Sequence, residues 1–125
     1  MIAYTIVGTN DLETSAAFYD ALLAEVGGKR VMELDRVILW AGAEGTPFFC
    51  VAQPADGNPA SVGNGSMISL GAEDPAAVDR LHAKALALGA SDEGAPGPRT
   101  NKTLEFYAGY FRDPDGNKLN FFCLR

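Results

Sequence analysis

Histidine is nearly missing from this 125-residue chain, where His82 is the only one. A site needing two imidazoles from one chain, such as an HExxH zinc centre or a two-histidine facial triad, is therefore excluded. Cysteine is almost as scarce: Cys50 and Cys123 stand alone without a CxxC spacing, which argues against a disulfide framework or a thiolate zinc site. Basic residues are outnumbered, ten Lys+Arg against sixteen Asp+Glu for a net charge of −6, and they form no cluster. A polyanion gains little from such a surface, so no nucleic-acid partner is expected. No apolar run approaches the ~18 residues of a membrane span, and the N-terminus lacks the basic start and long apolar stretch of a signal peptide. No membrane partner is expected, and a cytoplasmic location is.

What is present is an ordinary globular composition. Apolar residues at 47% and charged residues at 21% exclude disorder, collagen-like repeats and coiled coils, and the length suits one domain over residues 1–125. Within it the chain repeats itself. Shifted by 63, the segment from Ile2 to Leu23 lies over the one beginning at Gly65, so that Gly8 meets Gly71, Asp11 meets Asp74 and Phe18 meets Leu81. A second match, Phe48-Phe49-Cys50-Val51 with Phe121-Phe122-Cys123-Leu124, has an offset of 73. The difference of ten residues is assigned to a loop in the Gly- and Pro-rich stretch Ser91–Thr103. Module 1 then covers about residues 1–53, a polar connection about 54–64, and module 2 about 65–125.

Each module opens with a short strand and a capped helix. Tyr4–Val7 leads to Asp11, and Met67–Leu70 leads to Asp74 and Pro75, both suited to a helix N-terminus. Phe18, Leu22 and Val26 form the buried stripe of the first helix; Val78, Leu81, Ala85 and Leu88 form that of the second. Three strands follow in each module: Lys29–Leu34, Val37–Ala41 and Phe48–Ala52, then about Ser91–Gly94, Leu104–Arg112 and Lys118–Leu124. Asp113-Pro114-Asp115-Gly116-Asn117 is a hairpin turn, because Pro presets φ and Gly accepts a positive one. The fold class is α+β, a βαβββ unit used twice.

That duplicated unit, with Asp11-Leu12 through Phe18-Tyr19 in front and Arg112-Asp113-Pro114-Asp115-Gly116-Asn117 near the end, resembles the vicinal oxygen chelate superfamily of glyoxalases, bleomycin resistance proteins and extradiol dioxygenases. Gly63–Met67 and Gly94–Arg99 look most like small bacterial glyoxalase-like proteins. The resemblance implies curved mixed sheets around a cavity with the helices outside, and often a homodimer. It also implies a divalent ion held by His and Glu from four strands. Those positions fall here on Tyr4, Met67, Asn120 and either Pro47 or Phe49, none of them an imidazole or carboxylate. No metal and no cofactor is expected from such donors.

The same positions read as a pocket for a small hydrophobic or aromatic ligand, lined by Tyr4, Met67, Asn120 and Phe122 with Phe49 and Trp40 from the first module. No catalytic residue is assigned. His82 matches Tyr19 and is expected on the outer layer, at the surface or a dimer contact, while Cys50 and Cys123 are expected as buried packing thiols. Arg99 could reach an anionic group from its loop. Periodicity leaves the facing of Tyr107, Tyr110 and Arg112 open. Two rivals follow from the resemblance: a lactoylglutathione lyase-like lyase or isomerase with relocated acid–base residues, and a non-catalytic domain acting through a partner surface.

Overall fold

A computed structural model describes all residues, Met1–Arg125. The chain divides into two compact units, Met1–Val62 and Gly63–Arg125. In the first, β1 (Tyr4–Gly8), α1 (Leu12–Ala24), β2 (Lys29–Glu33), β3 (Val37–Ala41) and β4 (Phe48–Ala52) make a sheet of order β1-β4-β3-β2. In the second, β5 (Ile68–Gly71), α2 (Pro75–Ala87), β6 (Ser91–Thr100), β7 (Glu105–Arg112) and β8 (Lys118–Leu124) repeat that order as β5-β8-β7-β6. Each sheet is mixed, because its first strand pairs in parallel with its last and the remaining pairs are antiparallel. The fold is α+β, two βαβββ modules.

The helices start where the sequence places their caps. Asp11 accepts from the Thr14 N–H at 3.1 Å and Asp74 from the Ala77 N–H at 2.7 Å, each satisfying one free donor of the first turn. Phe18, Leu22, Val78, Leu81 and Ala85 are buried against their sheets. Val26 is not part of its expected stripe. Helix α1 stops at Ala24, and Val26 stands exposed ahead of Gly27, whose φ of 78° favours glycine.

Strand β6 corrects the loop expected over 91–103. It runs ten residues, through Pro96 and Pro98, before ending at Thr100. Proline is tolerated there because β6 is the edge strand, so a missing N–H costs no ladder bond on its solvent side. Bulges between Asp92 and Gly94 and between Gly94 and Gly97 absorb the irregular spacing.

The hairpin turn behaves as its sequence requires. The buried Asp113 carboxylate accepts from the N–H groups of Asp115 (3.0 Å) and Asn117 (2.9 Å) and from the Asn117 side-chain amide (2.9 Å), while Gly116 takes φ of 90°. Arg112 Nη1 donates to the Gly116 carbonyl from outside. These contacts set the register of β7 on β8 and thus which residues share a face.

The repeat offset over the last strands also needs correction. In the ladders Cys50 lies opposite Ile6 and Asn120 opposite Ser69, so the equivalent residues are 70 apart and not 73. A shift of three is odd, and an odd slip exchanges the two faces of a strand. The matching Phe-Phe-Cys letters were misleading for that reason.

Candidate functional site

Each sheet has one face against its helix and one face without. The helix-bound face is recognised by contact: in unit 1, Tyr19 of α1 packs on Phe49 (ring centroids 4.6 Å apart) and Trp40 (6.0 Å). Trp40 Nε1 donates to Asp20 Oδ1 of the same helix at 2.8 Å. Trp40 and Phe49 are paired across β3 and β4 and buried, Trp40 to 1% exposure. They are core residues and not the ligand-facing pair expected from sequence.

Alternation then places Tyr4, Ile6, Phe48, Cys50, Val37 and Leu39 on the helix-free face of unit 1. Tyr4 is 58% exposed, whereas Cys50 is fully buried between its neighbours. Burial pushes the Cys50 thiol up, which keeps it protonated and unreactive. Native protein should therefore resist iodoacetamide at Cys50 at pH 8 and label there in urea, as peptide mapping by mass spectrometry would show. Rapid native labelling would contradict this burial.

In unit 2 the helix-bound face carries Tyr107, Phe111, Leu119, Phe121 and Cys123. Phe111 stacks on Phe121 at 5.6 Å, and the Tyr107 hydroxyl donates to Asp79 of α2 at 2.8 Å. His82 belongs to this layer as well. It is buried under the sheet, with Nε2 3.0 Å from the Tyr110 carbonyl oxygen and 3.1 Å from Asp92 Oδ1. A carbonyl only accepts, so Nε2 carries the proton. His82 is thus a structural donor tying α2 to β6 and β7, and the surface position expected for it is corrected. Gly109 permits that approach, since a Cβ there would stand 3.1 Å from the imidazole Cδ2.

The helix-free face of unit 2 gathers Tyr110, Arg112, Ala108 and Phe106 from β7, opposite Asn120, Lys118, Phe122 and Leu124 of β8. Ser69 and Gly71 continue it on β5, and Met67, one residue before that strand, extends the row at 43% exposure. Phe106 and Phe122 pair at 5.3 Å. The register therefore puts Met67, Asn120 and Phe122 on one face, with Tyr110 and Arg112 beside them. Asn120 is the unusual member. It is 2% exposed, and its Oδ1 has no hydrogen-bond partner. A buried carbonyl left unpaired costs about 1–3 kcal/mol, so its retention calls for an explanation outside packing.

A groove of about 390 Å³ opens in unit 1 beside Thr9, Asn10, Arg36 and Gln53. Its polar groups are spent on the chain itself: Asn10 Oδ1 accepts from Ala60 N–H, and Arg36 Nη1 donates to the Gln53 carbonyl. It anchors the segment after β4.

Known proteins share this arrangement over its whole extent. The Glyoxalase/Bleomycin resistance protein/Dioxygenase superfamily profile matches residues 1–121. The chain belongs to this superfamily. A crystal structure of a glyoxalase/bleomycin resistance protein from Albidiferax ferrireducens T118 is similar at 36% identity and a TM-score of 0.88, with 98% of each chain covered. A glyoxalase/bleomycin resistance protein/dioxygenase family enzyme from Burkholderia phytofirmans PsJN (16% identity, TM-score 0.77, 98% of each chain) shares the fold. So does a lactoylglutathione lyase from Agrobacterium tumefaciens, at 23% identity and TM-score 0.69 over 98% of this chain and 92% of that one. No curated protein matches the chain.

The superfamily's divalent ion can be tested against these donors. With the corrected offset, Cys50 is the repeat partner of Asn120, so the four positions are Tyr4, Cys50, Met67 and Asn120, and neither Pro47 nor Phe49. Taken singly, these side chains are a phenol, a buried protonated thiol, a thioether and a neutral amide. Hard cations need charged oxygen and borderline ones need imidazole or thiolate. These side chains do not fit the ion. No group of three or more His, Cys, Asp or Glu elsewhere is arranged to hold one. Cys50 was missed at this position because letter matching favoured the wrong offset; opposing Tyr4 with the start of the parallel strand β4 is the signal that finds it.

Proposed function

We propose that this protein binds a small hydrophobic or aromatic molecule on the helix-free faces of its sheets, without a metal, and works as a homodimer. The observation that carries the reading is Asn120: its buried carbonyl has no partner within the chain, and side chains that move aside on the helix-free face beside Met67, Phe122 and Tyr110 would offer it to a ligand O–H or N–H. Met67 supplies an adaptable apolar surface, and the aromatic rings supply area with little entropy to lose. The exposed apolar Val31 and Met32 of the edge strand β2 support pairing with a second copy.

The reading is tested by titrating the neutral fluorophore N-phenyl-1-naphthylamine, an aromatic amine with one N–H. Saturable binding is expected, weakened in Met67→Ala. Asn120→Leu, which keeps the branched shape but removes the orphan carbonyl, should raise Tm while weakening the dye, a gain of about 1–2 kcal/mol in stability. A fall in Tm with unchanged binding would contradict the role given to Asn120. Protein purified without chelator is expected to carry less than stoichiometric Ni, Zn, Mn or Fe, and EDTA to leave Tm unmoved. Light scattering should give twice the chain mass. The hemithioacetal of methylglyoxal and glutathione should not turn over.

A further inference from the structure

On the helix-free face of unit 2, two cations flank one ring. The Arg99 guanidinium carbon lies 5.6 Å from the Tyr110 ring centroid, and Lys118 Nζ lies 5.5 Å from it. Arg99 reaches that place through glycine. It starts opposite Phe106 on β6 and folds back along the bulged strand past Gly97 and Gly94, where a Cβ would stand 3.1 Å from Arg99 Nη1 and 3.3 Å from Tyr110 Cδ2 respectively. Its N–H groups donate to the Ala95 and Pro98 carbonyls, at 2.9 and 3.2 Å, which fixes the guanidinium without neutralising it.

The charge balance is local and specific. Arg112, on the same face, is paired with Glu93 at 3.0 Å, and that pairing holds the Glu93 carboxyl below its usual range, with Lys118 adding to the effect. Arg99 and Lys118 have no carboxylate within ion-pair distance of their own. Three cations against the carboxylates of Glu93 and its neighbour Asp92 therefore leave an excess of positive charge here, on a chain whose net charge is −6. The excess sits beside Asn120, which lies directly opposite Tyr110, and two residues along β8, about 7 Å away, the aromatic pair Phe122 and Phe106 begins.

From this layout we infer that Arg99 and Lys118 form an anion subsite, and that the ligand is an aromatic carboxylate or sulfonate carrying an N–H or O–H donor. The anion lies at the Tyr110 end, the ring rests on Phe122 and Phe106, and the donor reaches Asn120 Oδ1 once the side chains covering it move aside. The inference rests on the binding reading above and adds the charge of the ligand to it. Charge complementarity selects this occupant over a neutral hydrophobe.

A matched pair of fluorophores tests it: 8-anilinonaphthalene-1-sulfonate and N-phenyl-1-naphthylamine share the same aromatic amine and differ in the sulfonate. The sulfonate is expected to bind about tenfold more tightly at low salt, with the advantage falling as NaCl screens it. Arg99→Gln and Lys118→Gln should each cut that advantage severalfold and leave the neutral dye unchanged; Arg99→Lys should keep part of it. Circular dichroism and Tm establish that each variant is folded, and the two independent charge removals guard against one failing to fold. Equal affinity for both dyes, or a sulfonate advantage that survives both Gln variants, overturns the anion subsite while leaving the binding reading intact. Failure of both dyes to saturate, as when a second copy covers this face, overturns both readings.

Discussion

Replacing Trp40 with alanine is expected to lower the unfolding free energy by about 3–5 kcal/mol, the range for truncating a fully buried large aromatic. Three losses combine. The indole surface packed on Tyr19 and Phe49 goes, a cavity opens between α1 and its sheet, and Asp20 loses the 2.8 Å indole bond. Asp20 also binds Arg30, so the charge it keeps is not stranded. Urea unfolding followed by circular dichroism measures the change. Trp40 is the only tryptophan, so in the wild-type protein acrylamide quenching reads its burial directly and should be weak. A loss below about 1 kcal/mol would mean that the ring is not a core residue, and would return it to the pocket-lining role read from the sequence.

The second large effect is expected at the β7–β8 turn. Asp113→Ala removes an acceptor of three hydrogen bonds and strands the backbone donors of Asp115 and Asn117 in a partly buried turn. Bonds to a charged acceptor are worth more than neutral ones, and water can reach part of this turn, so a loss of about 2–4 kcal/mol is expected. Asp113→Asn keeps an acceptor oxygen for the backbone N–H groups and should lose about half as much. Equilibrium denaturation of the two variants separates the effects. Equal losses would show that charge, not geometry, holds the turn. Because this hairpin sets the register that puts Lys118 and Asn120 opposite Arg112 and Tyr110, Asp113→Ala should also weaken 8-anilinonaphthalene-1-sulfonate binding.

Local chemistry was legible from sequence wherever it acts over a few residues. Asp11 and Asp74 cap because a short carboxylate reaches the free N–H groups of the next turn, and Asp113–Asn117 turns because Pro and Gly dictate its dihedrals. The Ser91–Thr103 stretch misled for a related reason. Gly and Pro mark loops in general, and only the position of β6 at the sheet edge makes Pro96 and Pro98 acceptable within a strand.

The sequence by itself determined the two βαβββ modules with their caps and turns, and through the superfamily resemblance it led to the expectation that Tyr4, Met67 and Asn120, none of them charged, stand where relatives hold an ion. Tertiary structure alone decided which way the remaining candidates face. It sent Trp40, Phe49 and His82 to the helices, put Cys50 where a ligating residue had been sought at Pro47 or Phe49, and drew Arg99 and Lys118 to either side of Tyr110. The reason is the two-residue period of a strand. Hydrogen-bond register between distant segments fixes that parity, bulges alter it, and neither is written in the local residue pattern.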